Sequence, residues 1–232
     1  MSGRVGSITT DIIADGLVLN IDAANRASYV EFADKTYNTL DLSVSGSLVN
    51  DPSGSLGSPK AWDFDGVDGW IGYDATLPGA ITFSTIAKSS NSTWNDYAGL
   101  GSHRAANGFI FHNNPSATTV SFYIYNSSTT FLSLGTITPS NIENFNFYTL
   151  SSNGSNLHKV YLNGELKITN TTTHNRNMSG VANADVNLGR DDRGVLNDRY
   201  NDIKISNNYF YNRQLSDSEV LHNYNALKGR FA

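Results

Sequence analysis

Apolar residues recur mainly at every second position along this chain, the spacing at which a strand turns one face to a core. After an Asp15-Gly16 turn, Leu17, Leu19 and Ile21 alternate in this way, and Ile203, Ile205, Tyr209 and Tyr211 do so near the C-terminus. Asn207-Asn208 interrupts the second run and is expected to form a bulge. Further strands are predicted over 61–64, 70–73, 80–87, 108–112, 119–125, 145–151 and 185–189. The first two of these flank Asp65-Gly66-Val67-Asp68-Gly69 and are expected to form a hairpin. Val120 to Tyr125 is apolar at nearly every position, so both of its faces are expected to be covered. The strongest local signal is Asn163-Gly164 between Leu157–Leu162 and Glu165–Ile168, because a two-residue hairpin loop needs positive φ at both positions.

The period lengthens only at the end. Ser216-Asp217-Ser218-Glu219 matches a capping box, and Val220, Leu221, Tyr224 and Leu227 then fall on one helical stripe, with Gly229 where a helix stop belongs. Asp217 and Glu219 sit at the positive end of that helix, Lys228 and Arg230 at the negative end. Residues 1–14 are too poor in apolar groups to pack alone and are predicted to be an N-terminal arm, tethered at Ile12 and Ile13. Residues 15–232 show no repeat and no linker, so they are predicted to form one domain.

Composition narrows the function. Charged residues make up only 16% of the 232, so Asn, Ser, Thr and Gly must cover much of the surface, as suits turn-rich β structure. The absence of cysteine excludes disulfides, thiolate zinc sites and cysteine nucleophiles. A net charge of −5 with no basic stripe argues against nucleic acid. No apolar run has the length of a membrane span or the form of a secretory leader, so a soluble protein with no membrane insertion is expected.

Tyr211-Asn212-Arg213-Gln214-Leu215-Ser216-Asp217-Ser218-Glu219 resembles the closing segment of LamG-like, concanavalin A-like jelly-roll domains, in the version found in structural proteins of tailed bacteriophages. Three more stretches are similar to the same group: DGLVLNIDAAN at 15–25, the FDG-x-D turn at 64–68, and Phe147-Tyr148 followed by VYLNGEL at 160–166. The resemblance implies an all-β, two-sheet antiparallel jelly-roll sandwich with a short C-terminal helix. It also implies a non-enzymatic virion structural protein, a capsid decoration or a tail or fibre component that acts through surface contacts. Its partners would be other virion proteins and host surface glycans, with a homo-oligomer as one arrangement, and its location the virion. The alternative is a carbohydrate-binding adhesin for host glycans. A glycan hydrolase ranks below both.

The side chains bear on that ranking. Sandwich glucanases place their catalytic carboxylates on one strand as E-x-D-x-x-E, whereas Glu31, Glu143, Glu165 and Glu219 stand far apart here. Asp63 and Asp65 are better explained as turn residues, and an EF-hand loop fails because Val67 occupies a ligand position. His103, His112, His158, His174 and His222 stand singly, with His158 expected half-exposed on its hairpin. Sugar recognition calls for an aromatic face beside short polar groups. Trp94 and Tyr97, with Asn95 and Asp96, lie in a polar loop and are the candidate sugar-binding residues, while Trp70 and Tyr73 are expected in the core. Calcium is the one cofactor the resemblance implies, with Asp191, Asp192 and Asp198 as its candidate ligands.

Overall fold

The alternating segments become strands because each leaves one apolar row facing a shared interior. The computed structural model describes residues 12–23, 42–45, 49–50, 61–67, 70–74, 79–97, 99–103, 108–125, 130–174, 185–191 and 199–231. The strands run in chain order as β1 (Leu17–Asp22), β2 (Leu42–Ser45), β3 (Val49–Asn50), β4 (Trp62–Asp65), β5 (Trp70–Asp74) and β6 (Ile81–Ser89). Next come β7 (Ser102–His103), β8 (Phe109–Asn113), β9 (Val120–Tyr125), β10 (Phe131–Ile137), β11 (Asn146–Ser152) and β12 (His158–Leu162). The last are β13 (Glu165–Asn170), β14 (Asp185–Leu188), β15 (Arg190–Asp191), β16 (Arg199–Tyr200) and β17 (Asp202–Tyr211), followed by α1 (Asp217–Leu227).

Two antiparallel sheets face each other. The first has the order β13-β12-β11-β6-β17-β4-β3, with β1 also paired to β17; the second has the order β10-β9-β8-β7-β14-β5-β2. β15 and β16 form a separate two-stranded ribbon. Phe64, Phe83, Tyr148, Leu150 and Ile203 of the first sheet meet Phe109, Phe111, Phe122, Val186 and Leu188 of the second in one buried core. The fold is therefore the all-β sandwich that the LamG-like resemblance implies, built largely from the strands that the alternation predicts.

Several expectations change in detail. β4 and β5 do not form a hairpin, because β4 pairs with β17 in the first sheet and β5 with β14 in the second. The Asp65-Gly66 turn instead starts the crossing between sheets. In β17 the register slips between Ile205 and Asn207, so Ser206 is the extra residue. The bulge divides the apolar row. Ile203 and Ile205 point into the main core, while Tyr209 and Tyr211 point outward beneath α1.

That outer face holds a second core, in which Ile86, Phe147, Tyr161, Tyr209 and Tyr211 pack with Leu215, Val220 and Leu227. Ile12 and Ile13 pack against it as the tether predicts, with the Ile13 N–H on Asn223 Oδ1 at 2.8 Å and the Tyr211 hydroxyl on the Ile13 carbonyl at 3.0 Å. Leu221 leaves the predicted stripe and stands 45% exposed, while Asn223 takes a buried position on the helix. Gly229 does not stop the helix with a left-handed residue; Lys228–Arg230 continues it as a 3-10 turn. The Asn163-Gly164 loop has φ of 53° and 77°, as the hairpin requires. Gly164 is needed twice over, since a Cβ there would lie 2.9 Å from Tyr224 on α1. His158 is fully buried, its Nδ1 2.8 Å from Ser152 Oγ, where the sequence suggested partial exposure.

The capping box is present as read: Ser216 Oγ accepts the Glu219 N–H, and Glu219 Oε2 accepts the Ser216 N–H at 2.8 Å. Arg213 grips the same carboxylate at 2.6 and 3.1 Å. These Arg213 bonds, helped by those from Ser216 and opposed by burial, hold the Glu219 carboxyl at about 2, against its usual 4.5. A depressed folded-state value stabilises fully above the unfolded value, and the gain is lost as pH falls from about 4.5 towards 2. Urea midpoints measured from pH 7 to pH 2.5 should fall more steeply for the native chain than for Glu219→Gln. Parallel profiles would contradict this.

Candidate functional site

The outer face of the second sheet is built by β8, β9 and β10, whose inward residues Phe109, Phe111, Val120, Phe122, Ile124 and Leu134 anchor it in the core. Alternation then sends His112, Ser121 and Tyr123 outward, and Phe131 joins them at the edge with 53% of its surface exposed. Tyr97 reaches the same face from the loop after β6. Its ring centroid lies 4.8 Å from that of His112; His112 stands edge-on to Tyr123 at 5.5 Å, and Tyr123 edge-on to Phe131 at 5.1 Å. Tyr125 adds a fifth ring, 5.7 Å from Phe131. Short polar groups flank this chain of rings: Asn114 Nδ2 donates to Thr119 Oγ1 at 2.7 Å and to Ser121 Oγ at 3.2 Å, and Ser121 Oγ lies 2.7 Å from Thr136 Oγ1. Tyr97 and Phe131 are exposed, His112 and Tyr123 half-buried and Tyr125 buried. Accessible rings beside hydroxyl and amide groups are the surface that a sugar needs, stacking on one and hydrogen-bonding to the other.

The loop that presents Tyr97 is pinned from below. Trp94 is 1% exposed and belongs to the main core, its N–H on the Ala117 carbonyl at 3.0 Å and its own carbonyl accepting the Ser116 N–H at 2.9 Å. Its ring is thus an anchor, and the expectation that it faces a ligand does not fit its burial. Asn95 Oδ1 accepts the Asp202 N–H at 2.9 Å, and Asp96 Oδ1 accepts the Tyr97 N–H at 2.6 Å. Asn201 Nδ2 donates to the Asp96 carbonyl at 2.7 Å. Asn95 and Asp96 therefore shape the loop, and Tyr97, 38% exposed, is the residue it displays.

Arginines stack on rings at two points of this face. The Arg199 guanidinium lies 4.2 Å from the Tyr97 centroid, and that of Arg190 lies 3.4 Å from the centroid of Trp70. Trp70 lies flat across Gly72, where a Cβ would approach its ring to 2.1 Å. It is buried as expected, but beneath Arg190 on the outer face and not in the main core. The side chain of Tyr73 lies outside the described residues.

Asp191 is fully buried, on the strand paired with Arg199, while Asp192 and Asp198 lie outside the described residues. Among the described residues no group of three His, Asp or Glu is arranged to hold a metal, and one buried carboxylate falls far short of the six to eight oxygens calcium takes. The described residues do not compose a calcium site.

A polar cleft of about 580 Å³ lies on the outer face of the first sheet, lined by Asp63, Asp65, Lys88, Ser89, Glu143, Asp202 and Lys204. It bears on catalysis because it gathers carboxylates. Asp63 is ion-paired with Lys204, Asp65 Oδ1 accepts the Val67 N–H at 2.9 Å, and Asp202 Oδ2 accepts from Asn91 at 2.9 Å. Three of its four acids thus hold strands and turns together.

His112, Tyr123, Phe131 and Arg199 were not among the sequence candidates. The signal for Tyr123 was its outward parity on β9, obscured by reading that run as covered on both faces. β10, which carries Phe131, was not predicted at all.

Paired antiparallel sheets with a ring-lined outer face make this a lectin-like β-sandwich. The chain belongs to the Laminin_G_3 family of the concanavalin A-like lectin/glucanases superfamily, whose model matches residues 65–221. Among solved structures, similar folds include the binding domain of botulinum neurotoxin DC in complex with SialylT, at 12% identity and TM-score 0.64, covering 93% of this chain. The same binding domain in complex with rat synaptotagmin II matches at 12% identity and TM-score 0.59 over 92% of this chain. A structure of botulinum neurotoxin type C, a toxin whose cell entry is dependent upon interaction with two ganglioside molecules, matches at 14% identity and TM-score 0.63 over 92%. This chain spans 52% of the length of each. No curated protein matches it in sequence. Neither the family match nor these structures point to a phage particle.

Proposed function

We propose that the protein is a carbohydrate-binding module that recognises glycans on the outer face of the second sheet and acts by contact, without bond cleavage. The observation that carries this is the run of rings Tyr97, His112, Tyr123 and Phe131 beside the Asn114, Ser121 and Thr136 polar groups. Membership of a lectin/glucanase superfamily supports a saccharide ligand, and so do structural neighbours seen with SialylT or tied to gangliosides. The missing E-x-D-x-x-E strand and the structural engagement of Asp63, Asp65 and Asp202 support binding over hydrolysis. The tailed-phage reading rests on sequence resemblance alone, and the relatives favour the glycan reading over it. Host surface glycans are the proposed partners.

A glycan array followed by calorimetry tests this. The native chain should bind a subset of glycans saturably. Tyr123→Ala or Phe131→Ala should weaken binding about tenfold, the effect of losing roughly 1.4 kcal/mol of ring contact. Leu221→Ala, on the opposite face, should leave affinity unchanged. A blank array, or binding indifferent to both ring variants, would refute the assignment.

A further inference from the structure

We infer that the glycan read by this face carries a carboxylate, and that Arg199 receives it. The inference rests on the proposed glycan-binding role and names the class of ligand for that same site.

The four arginines among the described residues are held differently. Arg230 places both guanidinium nitrogens on Asp22 at 2.8 and 2.9 Å. Arg213 is shared between Glu219 at 2.6 Å and Asp15 at 3.0 Å, and Arg190 donates from Nε to Asn187 Oδ1 at 3.1 Å. Arg199 is anchored by its plane, which lies on the Tyr97 ring, while its nearest carboxylate, Asp96, is 4.0 Å from Nε and beyond hydrogen-bond reach. Stacking on an aromatic face fixes a guanidinium without consuming its N–H groups, which project from the edge of the plane.

A fork held this way is already ordered for a planar anion, so little side-chain entropy is lost when a carboxylate docks on it. Arg199 is also positioned to read one end of the site. Tyr97 terminates the chain of rings on the side opposite Phe131, so an acidic sugar at Arg199 would leave neighbouring neutral rings over His112 and Tyr123.

Matched ligands separate this inference from the reading beneath it. One neutral oligosaccharide is compared with the same backbone ending in a uronic acid, with its sialylated form, and with the methyl ester of each acid, by calorimetry at low and raised salt. The native chain should bind at least one acid tenfold or more tightly than its ester, with the preference shrinking as salt rises. Arg199→Gln should abolish that preference, read as the ratio of acid to ester affinity within the same variant, and Arg199→Lys should restore only part of it. Tyr123→Ala should weaken acid and neutral forms together. Whether the uronate or the sialylated arm shows the effect identifies the source of the carboxylate. If esters bind as well as acids, or Arg199→Gln keeps the preference, the carboxylate assignment falls and the glycan face stands. If no saccharide binds, both fall.

Discussion

Replacing Phe83 with alanine is expected to cost about 3–5 kcal/mol, a large part of the roughly 5–15 kcal/mol that separates folded from unfolded states in a typical domain. Phe83 lies on β6 in the first sheet, fully buried, and its ring meets two rings of β8 in the second sheet: Phe109 at 4.6 Å and Phe111 at 5.1 Å. These contacts join the two layers. The ring is also enclosed from the side, because Gly101, at φ 153°, comes so close that a Cβ there would lie 2.3 Å from Phe83 Cε1. A backbone wall of this kind cannot collapse into the space an alanine leaves, which places the variant towards the costly end of core truncations. Urea unfolding followed by the fluorescence of buried Trp62 and Trp94 should show a lower midpoint at an unchanged slope. Phe83→Leu should lose less than half as much. The effect reaches the proposed binding face as well, since Phe111 and His112 are neighbours on β8 and loosening one disorders the other. A loss under 1 kcal/mol would mean that the layers are held elsewhere.

Period-two alternation revealed most of the strands in the sequence because the inner residues of β6, β9 and β12 keep one parity throughout, whereas β1 shifts register between Leu17, which packs on the outer core, and Leu19 and Ile21, which face the inner one. It failed where one residue changed the parity. Ser206 shifts the later half of β17 to the opposite face, so an even spacing from Ile203 to Tyr211 suggested one buried row where there are two. Leu134 does the same to β10, as the extra residue at a register shift between Ser133 and Gly135 that hid the strand. The capped helix and the Asn163-Gly164 hairpin were legible because their determinants lie within a few residues of each other. The candidate site was legible only in part. Tyr97 was found from its polar surroundings, but His112, Tyr123, Phe131 and Arg199 come from four separate strands, and only strand pairing brings them beside it. Trp94 misled because a polar loop usually displays its aromatic residue, whereas here the backbone of Trp94 is bonded to Ser116 and Ala117 and its indole is buried in the core.

Arg230→Met should destabilise the protein by about 3 kcal/mol, and adding Asp22→Leu should recover most of that loss. Asp22 ends β1 and Arg230 ends the 3-10 turn after α1, so this bidentate pair ties together the two ends of the described chain. The side chains are only 15% and 19% exposed, which keeps solvent screening weak. The Asp22 bonds push the Arg230 guanidinium above its ordinary pKa, against the opposing effect of burial. The neighbouring Tyr209 phenol is pushed well above its ordinary value by burial first, with the Asp22 charge adding to it. Removing Arg230 alone would strip the Asp22 carboxylate of its bidentate partner in that enclosed place, and an enclosed charge that loses such a partner is costlier than no charge at all. The double replacement removes both charges and fills the space with apolar groups. If the pair acts through compensation, Arg230→Met and Asp22→Leu will each lower the urea midpoint more than the two together. Losses that simply add would instead show that each side chain contributes through its own separate contacts.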